Sequence, residues 1–224
     1  MARDVALLAF TVQVALLSVL AVFPAGVALG FWLARTRSRF RSVVDTLASL
    51  PLVLPPTVVG LLLLEVFARS RPFGRFLWET LGVEIPFTWR AVVIASAVMA
   101  FPLLVRTVRA AFELVDPRLE KMARSLGRRP VYVFFTISLP LAWRGVLAGL
   151  VLAFARALGE FGATILIAGN IPGETQTLSL AIFQLVQTGR DQEAYRLAGF
   201  TILVALVAIW LSERLATVRT WRRP

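Results

Sequence analysis

Residues 5–34 read VALLAFTVQVALLSVLAVFPAGVALGFWLA, thirty positions without a charge, and four arginines follow at Arg35, Arg37, Arg39 and Arg41. At 1.5 Å per residue such a helix exceeds the roughly 30 Å of hydrocarbon in a bilayer. It is also too long for the apolar region of a cleaved signal peptide, which covers about 7–15 residues. The composition agrees, with 58% hydrophobic and 17% charged residues, whereas soluble domains hold about 45–50% and 25%. Further apolar runs follow. Thr46–Leu64 is uncharged and carries Pro51, Pro55 and Pro56; Trp89–Val108 has Arg90 and Arg106 near its ends; a run from Trp143 towards Ile167 is interrupted by Arg156 and Glu160; Leu197–Ser212 is the last. The chain reads as an all-α integral membrane protein of about five transmembrane helices. They form one domain over residues 1–224, with spans at about 8–34, 46–67, 89–109, 143–167 and 197–215.

The charge distribution orients those spans. Lys and Arg total 24 against 13 acids, for a net charge of +11. One side of the membrane collects 16 of the cations: residues 35–41, the loop 106–144, and Arg214, Arg219, Arg222 and Arg223. The other holds 7, namely Arg3, Arg69, Arg71, Arg75, Arg90, Arg190 and Arg196, with Arg156 inside the membrane. Cytoplasmic loops carry the excess of basic residues, so the N-terminus is expected outside and the C-terminus in the cytoplasm. Cations in strips at membrane boundaries suit contact with anionic lipid, and not nucleic acid, which needs them on one solvated surface. The absence of histidine and cysteine excludes Cys/His zinc sites, Ser-His-Asp nucleophile systems and disulfides. No G-x-x-x-x-G-K-[ST] phosphate loop is present. The expectation is a transport subunit and not an enzyme. With no repeat between the first three spans and the last two, a symmetric dimer with its pathway on the two-fold axis is expected.

The loop between the third and fourth spans reads DPRLEKMARSLGRRPVYVFFTISLP over residues 116–140. Asp116 and Pro117 are an N-cap and first-turn proline, and Gly127 suits a helix stop. Leu119, Met122, Ala123 and Leu126 recur at helical spacing, so a short amphipathic helix over 117–126 is predicted. A second amphipathic segment is expected at Val131–Ile137, with a chain break at Pro140. Such a helix could lie on the lipid surface. Its spacing, however, resembles the cytoplasmic signature of permease subunits in binding-protein-dependent ABC importers: an EAA triplet, a glycine three residues later, and I-x-L-P ten residues after the glycine. Aligned on Gly127, Ile137, Leu139 and Pro140 match; the triplet falls on Lys121, Met122 and Ala123, with Glu120 one place early. The resemblance implies a coupling helix seated in a cleft of a separate ATPase, with Leu119, Glu120, Met122, Ala123, Leu126, Gly127, Ile137 and Pro140 carrying that contact. It further implies two ATP-binding subunits holding ATP and Mg, a periplasmic or lipoprotein oxyanion-binding protein, and no cofactor on this chain.

Two more stretches, LPLVLPPTVVGLLLL (residues 50–64) and FARALGEFGATILIAGNIPGETQT (residues 154–177), extend the likeness over about residues 10–212. Together with the loop they are similar to permeases of bacterial molybdate ABC transporters in the cytoplasmic membrane. Permeases for sulfate or thiosulfate and for tungstate share the pattern more weakly, and an ATP-independent channel or carrier is the rival class. Pro51, Pro55 and Pro56 remove backbone donors within a span, which is tolerated only beside other helices or a water-filled cavity. Arg156 and Glu160, four apart, are expected either to pair with each other or to face a passing dianion. Gly162 suits close helix contact or a broken helix. Thr164 and Asn170, with Thr175, Gln176 and Thr177, offer hydrogen bonds either to an oxyanion or to a binding protein.

Overall fold

The computed structural model describes residues 2–216 and is helical, with no strand among them. Its helices are α1 (Ala2–Arg35), α2 (Arg41–Val53), α3 (Pro56–Phe67), α4 (Pro72–Leu81), α5 (Trp89–Glu113), α6 (Pro117–Ser125), α7 (Pro130–Val133), α8 (Leu139–Leu158), α9 (Gly162–Ala168), α10 (Leu178–Gln187) and α11 (Asp191–Ala216). Among the described residues, four continuous helices are long and apolar enough to cross a bilayer: α1, α5, Pro130–Leu158 and α11. The pair α2 and α3 makes a fifth crossing when counted as one bent span. Of the cations that orient the chain, Arg219, Arg222 and Arg223 lie outside the described residues.

Helix α5 is the centre of the bundle. Its Leu104, Val108 and Phe112 are fully buried and join Val19 of α1 and Val146 and Leu158 of α8 in one apolar cluster. Without a hydrophobic drive between helices in lipid, close backbone approach has to supply the contact. A Cβ on Gly26 would stand 2.5 Å from Leu104, and one on Gly145 2.5 Å from Ala111, so α1 and α8 press against α5 where they have no side chain. A second cluster joins Val59 of α3, Val92 and Met99 of α5, and Ile167 of α9. Polar pins fix the start of α2 on α5: Arg109 donates to Asp45 at 2.7 Å and to Glu113 at 2.8 Å, and Arg41 donates to Glu113 at 3.0 Å.

Two expected boundaries need correction. The run from Trp143 to Ile167 is not one span. The helix starts at Pro130, runs to Leu158, and stops; Gly162–Ala168 is a separate short helix. Pro140 does not break the chain, because residues Phe134–Ser138 form a π-turn in which the Leu139 N–H reaches the Phe134 carbonyl. A single wide turn of this kind absorbs a helix irregularity without ending the helix, so Val131–Ile137 is its first part and not a separate segment. The proline-rich second span does break, at Leu54 and Pro55, both with extended backbone. A residue before proline avoids helical geometry, and here two such residues stand in succession. Their combined effect is a 108° bend.

Candidate functional site: a tethered cytoplasmic helix and a broken crossing

Helix α6 forms for local reasons. The Asp116 carboxylate accepts the Arg118 N–H at 2.8 Å, Pro117 occupies the first turn, and Gly127 follows the helix with φ +79°, a conformation that glycine adopts without cost. The helix has two stripes, each at the i, i+3, i+4, i+7 spacing of one helical face. Leu119, Met122, Ala123 and Leu126 form the apolar one, and Leu119, Met122 and Leu126 are 42%, 62% and 77% exposed. Three large apolar side chains are therefore left partly to largely uncovered by the described residues. Pro117, Glu120, Lys121 and Arg124 form the other.

Glu120, which the resemblance includes in the ATPase-coupling set, turns its carboxylate towards the bundle. The step from Leu119 to Glu120 turns the side chain by about 100°, away from the apolar stripe. It is 4% exposed. The Arg35 guanidinium at the end of α1 donates to it through Nη2 at 2.8 Å and Nε at 3.0 Å, and to the Val115 carbonyl at 3.0 Å. The Ser138 hydroxyl, in the π-turn, donates to the same carboxylate at 2.8 Å. One acid thus ties α6 to α1 and to the long helix that follows. Arg35 reads in the sequence as one more boundary cation; its place at the end of a charge-free run, with few acids to meet it, is the signal that it has a buried partner. Gly127 and Pro140 are exposed and Ile137 is half-buried.

The second cluster forms where the bent crossing α2–α3 meets α9, just past the end of α8. A Cβ on Gly162 would stand 2.7 Å from Pro56 Cβ, and one on Gly60 2.5 Å from the Ala163 carbonyl oxygen. The two glycines let α3 and α9 touch backbone to backbone, immediately beside both breaks. Arg156 and Glu160 do pair, through Nη1 and Oε2 at 2.6 Å. The second Glu160 oxygen accepts the Ala163 N–H at 2.9 Å, so Glu160 also caps the start of α9. Glu160 is 2% exposed and Arg156 28%. Glu160 offsets the charge of Arg156, yet the guanidinium keeps donors free on its open side. Pro55 and Pro56 are exposed beside the bend and Pro51 is half-buried within α2.

The remaining polar candidates divide. Thr164 is fully buried and its hydroxyl has no hydrogen-bond partner among the described residues; its helix α9 packs against α3 and α5 through Ala163 and Ile167. Asn170 belongs to a side-chain network near the N-terminal end of α1, remote from α6: Gln176 Nε2 donates to Asn170 Oδ1 at 3.0 Å and to Gln184 Oε1 at 2.7 Å. Thr175 accepts the Ile171 N–H at 3.0 Å and Thr177 caps α10. These residues build a fixed loop. Gln184 joins them from α10, a helix that its own apolar run and the Thr177 cap announce in the sequence.

Comparison with known proteins follows the same lines. Residues 26–217 match the family described as binding-protein-dependent transport system inner membrane component. The chain is 44% identical over 214 residues to the molybdenum transport system permease protein ModB of Haemophilus influenzae, covering 95% of this chain and 93% of that one. It is 46% identical over 209 residues to the protein of the same description from Escherichia coli K12, covering 93% and 91%. Among solved structures it resembles a bacterial ABC transporter that imports alginate (TM-score 0.72, 18% identity, 97% of this chain and 81% of that one). It also resembles an inward-facing methionine ABC transporter (TM-score 0.70, 15% identity, 95% of each chain).

Proposed function

Because the chain belongs to the family of binding-protein-dependent transport system inner membrane components, we propose that it passes molybdate into the cytoplasm as one half of a homodimeric permease driven by two separate ATP-binding subunits. It is a multi-pass protein of the bacterial inner membrane, and its relatives are transport permeases. The observation that carries the substrate is identity of 44–46%, over more than nine-tenths of both lengths, with proteins named for molybdenum transport.

The geometry supports a division of labour. The exposed apolar stripe of α6 is the surface on which an ATPase subunit docks, on the cytoplasmic side set by the basic loops. The tether through Glu120 passes a displacement of α6 to α1 and to the long helix without bending α6 itself. The junction of the two breaks lines the path, and Arg156 offers its open donors to a passing dianion while Glu160 keeps it in place. Access alternates as the two copies rock about their common axis. A periplasmic or lipoprotein oxyanion-binding protein delivers the anion to the outer loops.

The test is uptake of radiolabelled molybdate into proteoliposomes containing the permease, its ATPase and the binding protein. Uptake should require ATP, and unlabelled molybdate should compete better than sulfate. Gly127→Pro should abolish both ATPase binding and uptake. Uptake sustained by an ion gradient alone would sink the proposal, as would equal competition by sulfate.

A further inference from the structure

Between the end of α1, the turn into α2 and the second stripe of α6 lies a cavity of about 540 Å³ whose walls include Arg35, Arg37, Arg41, Lys121 and Arg124. Glu120 neutralises Arg35 and Glu113 pairs with Arg41. Arg37, Lys121 and Arg124 have no ion-pair partner among the described residues, so three positive charges converge on one concavity with no acid to balance them. Guanidinium forks and an ammonium around an open hollow match the oxygens of a phosphate monoanion or diester.

We propose that this cavity binds the headgroup of an anionic phospholipid, phosphatidylglycerol or cardiolipin, from the leaflet in which α1 ends. Basic pockets between the ends of transmembrane helices recognise such headgroups. A lipid is favoured over free phosphate because the cavity lies where α1 leaves the membrane and adjoins α2 through Arg41, next in sequence to an exposed apolar face. Phe40, Val43 and Leu47, on the turn and first part of α2, are 58%, 55% and 63% exposed. They share the face of α2 turned away from Arg41 and Asp45, which meet α5, so an acyl chain of the bound lipid would lie along the outer side of α2. The site does not compete with the exposed apolar stripe of α6. Pro117, Glu120, Lys121 and Arg124 occupy the opposite face of that helix from Leu119, Met122 and Leu126, so lipid and a protein partner have separate surfaces.

Lys121 is the only lysine in the chain, which gives a direct readout on the full-length wild-type protein. Modification of Lys121 by an amine reagent, followed by peptide mass spectrometry, should slow roughly tenfold or more when mixed micelles of a neutral detergent and phosphatidylcholine are doped with phosphatidylglycerol or cardiolipin. Inorganic phosphate and molybdate at the same concentration should leave the rate unchanged. In native mass spectra, the triple variant Arg37→Gln, Lys121→Gln, Arg124→Gln should lose most anionic-lipid adducts. A triple of equal charge change elsewhere, Arg75→Gln, Arg90→Gln, Arg128→Gln, should keep them. Unchanged labelling of Lys121 in anionic micelles overturns the proposal. So does equal protection by inorganic phosphate or molybdate, which would make the ligand a free anion, and so does equal adduct loss in both triple variants.

Discussion

Replacing Glu120 by alanine tests whether α6 is held by one buried acid. The carboxylate side chain is 5% exposed and the Arg35 side chain 17%, and three side-chain hydrogen bonds of 2.8–3.1 Å join the two. Removing one partner from a buried pair leaves a charge without compensation and costs about 3–5 kcal/mol. Arg35 keeps its bond to the Val115 carbonyl and some access to water, so the lower end, about 3 kcal/mol, is expected. The cost should fall on the attachment of α6, because the bundle core near Leu104 and Phe112 does not depend on Glu120. Hydrogen exchange on the purified protein reads this directly: the amides of residues 117–126 should exchange about a hundredfold faster, at about 1.4 kcal/mol per tenfold, while those of α5 stay unchanged. Arg35→Met should behave similarly. The double variant Arg35→Met, Glu120→Met should recover most of the protection, since apolar replacement of both partners is often neutral or stabilising. Equal exchange in Glu120→Ala and wild type would refute the tether, and a double variant as damaged as the sum of the singles would refute the pairing.

Other substitutions separate the remaining parts. Gly60→Ala places a Cβ 2.5 Å from the Ala163 carbonyl and should lower thermal stability in detergent by about 1–3 kcal/mol, with transport lost in step. Glu160→Gln retains an acceptor for the Ala163 N–H but not the charge, whereas Glu160→Ala loses both. Hydrogen exchange in α9 should rise only in the alanine variant, by an amount equivalent to about 0.5–2 kcal/mol for a lost cap, while uptake falls in both. Met122→Asp and Leu126→Asp should leave the melting temperature unchanged, because neither side chain is covered, yet abolish co-purification with the ATPase.

Much of this molecule was legible beforehand because its strongest signals are local. A thirty-residue charge-free run, an Asp-Pro helix start with a glycine stop, and two adjacent prolines in a span each dictate backbone geometry with little help from the rest of the chain. What the sequence does not reveal are contacts between distant parts of it. Glu120 lies 85 positions from Arg35, and nothing in the spacing of α6 says which side of the apolar stripe meets the bundle. Pro140 reads as a break because a proline removes a donor; the π-turn before it shifts the hydrogen-bond register by one residue, and no propensity predicts such a shift. Arg156 and Glu160 are readable as a pair from their separation. That the same acid also starts α9 follows only from the chain stopping at Leu158. Thr164 reads as polar and available in the sequence, and the structure buries it completely.

The uninterrupted helix from Pro130 to Leu158 has a mechanical corollary. At 1.5 Å per residue its 29 residues make a rod of roughly 40 Å. Ser138, about a third of the way along, holds the carboxylate that anchors α6; Arg156, near the far end, holds the acid that starts α9. The π-turn at Phe134–Ser138 is the joint of this rod and lies on the α6 side of the 20 regular residues of α8. In the proposed cycle a displacement of α6 would therefore reach the start of α9 as the movement of one rigid segment. Gearing of this kind needs no chain of relayed side-chain contacts through the bundle. It predicts that stiffening the joint would alter timing at both ends together.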